Sequence, residues 1–127
     1  MSLNTLRRKE ILKSKIQIRK LFEEGNHYGK YPLKMVFLWV DNSQQEEHCL
    51  FIPIVSARRY KKAVTRNRIK RVVRESYRLN KKSLIPYLTE NNKKCILGVM
   101  YNANEKPTFE KVDNAMVHLL NGITKKV

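Results

Sequence analysis

The stretch Thr65–Lys82 constrains this chain more than any other, because one helical register sorts it into two incompatible faces. At roughly 100° per residue, Ile69, Val72, Val73 and Ser76 fall on one side, with Thr65 at its start. Lys70, Arg71, Arg74 and Arg78 gather opposite them with Asn67, and Arg66 and Arg68 flank that ridge. The dry stripe docks on a sheet, which leaves a cationic ridge of several turns facing out. Lys70, Arg74 and Arg78 stand at i, i+4 and i+8, so like charges stack and disfavour an isolated helix by roughly a few tenths of a kcal/mol per pair. A helix selected only for stability would intersperse acids, and here Glu75 stands alone. The bland alternative is an ordinary solvated face.

The charge of the whole chain points the same way. Lys+Arg number 27 against 11 Asp+Glu, a net +16 at pH 7. A folded domain this basic repels itself, and the commonest partner that relieves the repulsion is nucleic acid. Two blocks carry the excess. Residues 7–20 hold Arg7, Arg8, Lys9, Lys13, Lys15, Arg19 and Lys20 against Glu10, and residues 58–82 hold twelve basic side chains against Glu75. Residues 21–57 are net negative. Such blocks are a footprint rather than a general solubility device. An anionic membrane is the rival partner, but no apolar stretch approaches the roughly 20 residues of a span, and no signal peptide precedes the basic start.

Arginine suits phosphate because its planar fork grips two oxygens at once, whereas lysine acts as a point charge. Asn67, neutral among arginines, either caps the helix start or directs a bond to a 2′-OH, a base edge or the local backbone. Arg58-Arg59-Tyr60-Lys61-Lys62 just before the helix adds basic reach, with Tyr60 as a stacking surface.

The remaining elements are read more coarsely. Leu12, Ile16, Ile18, Leu21 and Phe22 predict a helix over 12–24 that Gly25 stops, followed by a loop Asn26-His27-Tyr28-Gly29. Leu33–Val40 and Leu50–Val55 read as strands, Pro53 favouring an edge or bulge, with a polar turn over 41–47 between them. The long helix covers 63–82, with Pro86 shortly beyond its end. Lys94–Tyr101 reads as another strand. Thr108 caps a last helix that buries Val112, Ala115, Met116, Leu119 and Leu120. The expected class is α+β, an α/β sandwich of order α-β-β(-β)-α-β-α with a small mixed sheet, in one RNA-binding domain over 1–127 whose ordered core spans about 7–122. At 42% hydrophobic the chain can bury a real core. Cys49 and Cys95 sit in apolar runs and read as buried free thiols of a cytosolic protein.

No acid/base constellation is visible. His27, His48 and His118 are scattered, Glu46-Glu47 reads as a solvated turn, and Gly25 and Gly29 make no phosphate-cradling loop. A self-sufficient nuclease is therefore disfavoured, while a structural RNA-binding protein, ribosomal or other, fits the composition equally well.

Ala63-Val64-Thr65-Arg66-Asn67-Arg68-Ile69-Lys70-Arg71-Val72-Val73-Arg74-Glu75 resembles the arginine-asparagine-arginine signature of the bacterial ribonuclease P protein family. Leu21-Phe22-Glu23-Glu24-Gly25 looks like the end of that family's first helix, and Ile52-Pro53-Ile54-Val55-Ser56-Ala57-Arg58-Arg59 like its strand and basic loop. The resemblance covers most of 7–122. It implies a left-handed βαβ crossover through the motif helix, against the general right-handed rule. It also implies an accessory subunit in the cytoplasm, a monomer paired one-to-one with ribonuclease P RNA. That RNA performs Mg2+-dependent cleavage of precursor tRNA, and the protein itself holds no cofactor. The implied RNA contacts are Arg58, Arg59, Lys61, Lys62, Arg66, Asn67, Arg68, Lys70, Arg71, Arg74 and Arg78. A groove for the precursor's 5′ leader would use Ile18 and Phe22 from the first helix and Val36 or Phe37 from the sheet. Ile18 stands where the family usually has a second aromatic, and Arg58 and Arg59 stand where many members have lysines.

Overall fold

Strand alternation decides which helix each face of the sheet receives. The computed structural model describes residues 6, 8–40 and 45–125; Arg7 and the first four residues of the expected turn at 41–47 lie outside them. Strands β1 (Asn26–Lys30), β2 (Leu33–Val40), β3 (Cys49–Ile54) and β4 (Lys94–Tyr101) form one sheet in the order β1-β2-β4-β3. Helices α1 (Lys15–Glu24), α2 (Ala63–Glu90) and α3 (Phe109–Lys125) cover it, and a short 3-10 turn (Arg8–Glu10) precedes them. β2 pairs antiparallel with β1 and β4, whereas β3 runs parallel to β4 and reaches it through α2. The mixed α+β sandwich expected above is the observed class.

One face of the sheet presents Met35, Phe37, Phe51, Leu97 and Val99 to α2 and α3 in the main core. The other presents Val36 and Ile96 to Leu21 of α1 and to Leu12, with Leu38, Val40, Leu50 and Ile52 half-buried around them. α2 lays Ile69, Val73, Tyr77, Leu84 and Leu88 on the first face, each no more than 1% exposed. The Tyr77 ring stacks on Phe51, with centroids 4.0 Å apart and planes 2° from parallel. Ser76, also on this dry side, is satisfied across the α2–α3 seam. Its Oγ donates to Asp113 Oδ1 at 2.9 Å, and Asn80 Nδ2 donates to the same oxygen at 2.6 Å. Thr108 accepts from Lys111 N at 3.4 Å, the cap expected for α3.

Four expectations need correction. Asn26–Lys30 is a strand, not a loop. It has little intrinsic β preference, but a two-residue turn at Tyr31-Pro32 returns the chain so that Lys30 pairs Leu33, and pairing overrides propensity. α1 begins at Lys15 rather than at residue 12, because Leu12 N instead donates to Phe51 O at 2.8 Å and the chain joins the sheet along its β3 edge. α2 runs to Glu90, carrying Pro86 inside it. Burying Leu84 and Leu88 stabilises by about 1.5–3 kcal/mol each, enough to outweigh the roughly 3 kcal/mol cost of proline, whose ring is on the exposed side. Phe37 points into the main core and away from α1, since period-two alternation puts it opposite Val36. By contrast Pro53 does lie on an edge strand, and Cys49 and Cys95 are buried free thiols.

The chain start is tied to the far half of α2 by an ion pair. Lys81 Nζ lies 2.6 Å from Glu10 Oε1, with side chains only 4% and 6% exposed. Lys81→Met should cost about 3–5 kcal/mol in urea unfolding by leaving a buried carboxylate poorly compensated. Adding Glu10→Leu should recover part of that loss. Additive losses in the double variant would show that the two charges do not depend on each other.

Candidate nucleic-acid interface

α2 starts at Ala63 with Lys62 in the capping position, no side-chain cap and no acid in the first turn. Its first N–H groups and the positive end of its dipole therefore face the basic loop and favour an anion. Asn67 sits in the second turn and is exposed, so it is not a helix cap. Asn67, Arg71, Arg74, Glu75 and Arg78, with Leu6, line an open groove of about 440 Å³ along one flank. Arg68 faces the other flank, where a cavity of about 180 Å³ lies between Thr65, Ile69, Tyr60 and residues 104–107. Arg68, Arg71 and Arg74 are exposed and Lys70 is half-buried. Arg78 is partly neutralised: its Nε donates to Glu75 Oε2 at 3.2 Å, and this bond holds the Glu75 carboxyl below its ordinary range.

The loop before α2 is more organised than its composition suggests. Ser56 Oγ accepts from Arg59 N at 3.1 Å and Ser56 O accepts from Tyr60 N at 3.0 Å, closing a turn. Arg59 Nη2 donates to Asn104 Oδ1 at 2.8 Å and its Nη1 to Asn102 Oδ1. The Tyr60 hydroxyl donates to Ala103 O and accepts from Ala103 N at 3.1 Å. Arg66 turns back, its Nη1 donating to the carbonyls of Tyr60 and Lys61, both at 2.9 Å. Arg58, Lys61 and Lys62 are exposed. Of the eleven expected contact residues, the structure thus places ten on or beside the first half of α2 and Arg78 just past its middle, but it engages Arg59, Arg66 and Arg78 within the protein. Asn102 and Asn104 were missed, and only a contact across some forty residues identifies them.

On the α1 side, Ile18, Phe22 and Val36 meet in one cluster, with Ile18 and Phe22 half-buried and Val36 3% exposed beneath the helix. A larger groove of about 670 Å³ opens along the other edge of α1, lined by Ile16, Gln17, Lys20, Val40, Leu50 and Ile96 among others. Ile16, one of the apolar positions that predict this helix, is 81% exposed at its rim. The phase signal was available: Ile16 lies more than a quarter turn off the line of Leu21. Elsewhere, His48 Nδ1 is within 3.1 Å of Lys93 O and His27 Nε2 within 3.4 Å of Phe22 O, far from any common site. Among the described residues no three His, Cys, Asp or Glu side chains converge to hold a metal ion, and no helix is long and apolar enough to cross a membrane.

A mixed sheet sandwiched by helices, with an arginine ridge left uncovered beside a basic loop, defines an α+β protein built to meet a polyanion. The chain belongs to the Ribonuclease P family, whose profile matches residues 6–124. The ribonuclease P protein component of Porphyromonas gingivalis is 34% identical over 111 residues, covering 87% of this chain and 80% of that one. That of Chlorobaculum tepidum is 30% identical over 131 residues, covering 94% and 83%. Solved RNase P proteins share the fold. The Staphylococcus aureus protein gives a TM-score of 0.69 at 18% identity, over 90% of this chain and 94% of its own. The Thermotoga maritima protein gives 0.68 at 24%, over 88% and 96%. Family membership makes the chain a component of ribonuclease P, an endoribonuclease of tRNA processing, with that enzyme's RNA as partner.

The end of β4 next to this loop carries a pH signature. Burial pushes the Tyr101 hydroxyl up to about 12, helped by neighbouring Tyr60 and Glu105, while the hydroxyl donates to Glu105 O at 2.9 Å. Its folded value lies above the ordinary 10.0, so the protonated form favours the fold. That contribution is complete below about pH 10 and is lost as pH rises through about 12. Tyr101→Phe should flatten the alkaline fall in urea-unfolding stability; an unchanged fall would assign it to other groups.

Proposed function

We propose that this chain is the non-catalytic subunit of ribonuclease P, gripping the catalytic RNA with the ridge of α2 and the loop before it. The observation that carries this reading is the exposed set Arg68, Arg71 and Arg74 with Asn67, held outward because the opposite stripe of the same helix is buried. Arg58, Lys61 and Lys62 extend the surface, Lys70 flanks it, and Arg59, Arg66 and Arg78 belong to the same patch. Catalysis resides in the RNA subunit, which brings its own Mg2+. The protein's work is to neutralise phosphate, orient the RNA and hold the substrate.

The 5′ leader of precursor tRNA runs over the α1 face of the sheet. Ile18 and Phe22 supply apolar surface there, Val36 lies beneath them as a floor, and Lys20 supplies charge at the neighbouring groove. Phe37 has no part in it, being buried on the opposite face. The complex forms one-to-one in the cytoplasm.

Reconstitution tests the assignment. Precursor tRNA at low magnesium should be cleaved only when the protein and ribonuclease P RNA are combined. Cleavage by the protein alone would make it a nuclease in its own right, and no effect of the protein on the RNA's reaction would remove the accessory role. Within the ridge, Arg68→Ala or Arg71→Ala should weaken RNA binding and lower the slope of log affinity against log salt by roughly 0.7–0.9 per lost phosphate contact. A slope equal to that of the wild type would mean that these side chains do not touch phosphate.

A further inference from the structure

Two arginines of the basic patch turn inward. Arg66 holds the carbonyls of Tyr60 and Lys61, and Arg59 spans Asn102 and Asn104 on the loop that follows β4. Tyr60 sits between them, bonded twice to the backbone of Ala103. The receiving loop is itself anchored, because Glu105 accepts from Tyr31 at 2.9 Å and lies 3.5 Å from Lys111. A basic loop and a neutral loop about forty residues apart are thus laced into one unit.

The charge pattern explains the need for lacing. Arg58, Arg59, Lys61 and Lys62 occupy four of five consecutive positions, well within the roughly 8 Å over which charges feel each other at physiological salt. Left alone, such a loop spreads to relieve its own repulsion and has to be reordered when a polyanion binds. Arginine suits both posts. The fork of Arg59 sends Nη1 and Nη2 to two different asparagines, while Arg66 reaches two backbone carbonyls from Nη1 alone, so its charge rests on neutral acceptors rather than on an acid that would cancel the patch. We propose that Arg59 and Arg66 are positioning residues, and that Asn102 and Asn104 are the neutral half of the same latch. Together they hold Arg58, Lys61 and Lys62 in the arrangement that meets RNA. This deepens the functional reading above and rests on it.

The decisive variants remove no cation. Asn102→Ala with Asn104→Ala should weaken binding to ribonuclease P RNA roughly tenfold at fixed salt, through loss of preorganisation. The same pair should have little further effect in an Arg59→Ala background, since the latch is already open there. Asn104→Asp keeps an acceptor for Arg59 and should retain affinity despite the lost net charge, whereas a direct bond from the Asn104 amide to RNA would make it the weakest variant. For Arg66, the cost of Arg66→Gln should shrink in a chain carrying Arg58→Gln, Lys61→Gln and Lys62→Gln. An undiminished cost in both backgrounds, with a salt slope lowered equally in each, would make Arg66 a phosphate contact and overturn its positioning role. Full affinity in the double asparagine variant would overturn the latch. Urea midpoints recorded on each variant separate a lost latch from a lost fold. Failure of the wild-type chain to bind the RNA at all would instead overturn the functional reading.

Discussion

Everything outward on this molecule follows from how α2 is seated on the sheet. Tyr77 lies flat on Phe51, and Ile69, Val73, Leu84 and Leu88 continue the same stripe in both directions. Rolling the helix by one residue would turn this stripe toward solvent and push Lys70 or Arg74 against β3 and β4. Burying an unpaired cation costs several kcal/mol, and exposing the stripe forfeits several more, so the roll angle is fixed. The buried Lys81–Glu10 pair and the Ser76–Asn80–Asp113 cluster add directional bonds to a seat that hydrophobic contact alone would leave free to slide. The ridge is therefore rigid not because its cations hold it in place but because the opposite face allows one orientation.

That logic explains which parts of the structure were legible in sequence. The period of α2, the strands at Leu33–Val40 and Lys94–Tyr101, and the buried face of α3 are written in local pattern, and local pattern suffices when an element has one wet and one dry side. Asn26–Lys30 carries no such pattern, because an edge strand held by a neighbour's backbone needs little from its own side chains. Pro86 is a strong local stop signal that tertiary burial outweighs. Phe37 and Val36 are adjacent in sequence and equally apolar, so only knowing which face α1 covers separates core from groove. The latch is invisible for a simpler reason: it joins residues 43 and 45 positions apart, and nothing in Asn102-Ala103-Asn104 announces an arginine partner.

The two faces of the sheet also differ in how completely they are covered. The face under α2 and α3 is sealed, and it supports the ridge. The face under α1 is only partly covered, leaving Leu38, Val40, Leu50 and Ile52 half-buried beside a single short helix. A ten-residue helix cannot roof a four-stranded sheet, so apolar surface remains open on both of its sides. On one of those sides the groove carries Lys20 together with Glu46 and with Glu47, which pairs with Lys9 at 3.2 Å, so its rim is mixed in charge rather than uniformly basic.

Formal charge overstates the footprint of this surface. Of the twelve basic side chains between 58 and 82, Arg59 and Arg66 are committed to neutral acceptors, Arg78 to Glu75, and Lys81 to Glu10. The other eight are spread over the loop and two flanks of one helix. Counterion release scales with phosphates neutralised rather than with cations encoded, so a count of basic residues is not a count of phosphate contacts. What the engaged four contribute is geometry. Arg59 and Arg66 order the loop, Arg78 tempers the far end of the ridge, and Lys81 fixes the helix beneath it. A basic block read from sequence is then best divided before it is interpreted, into cations that face the partner and cations that hold the first group where the partner will find it.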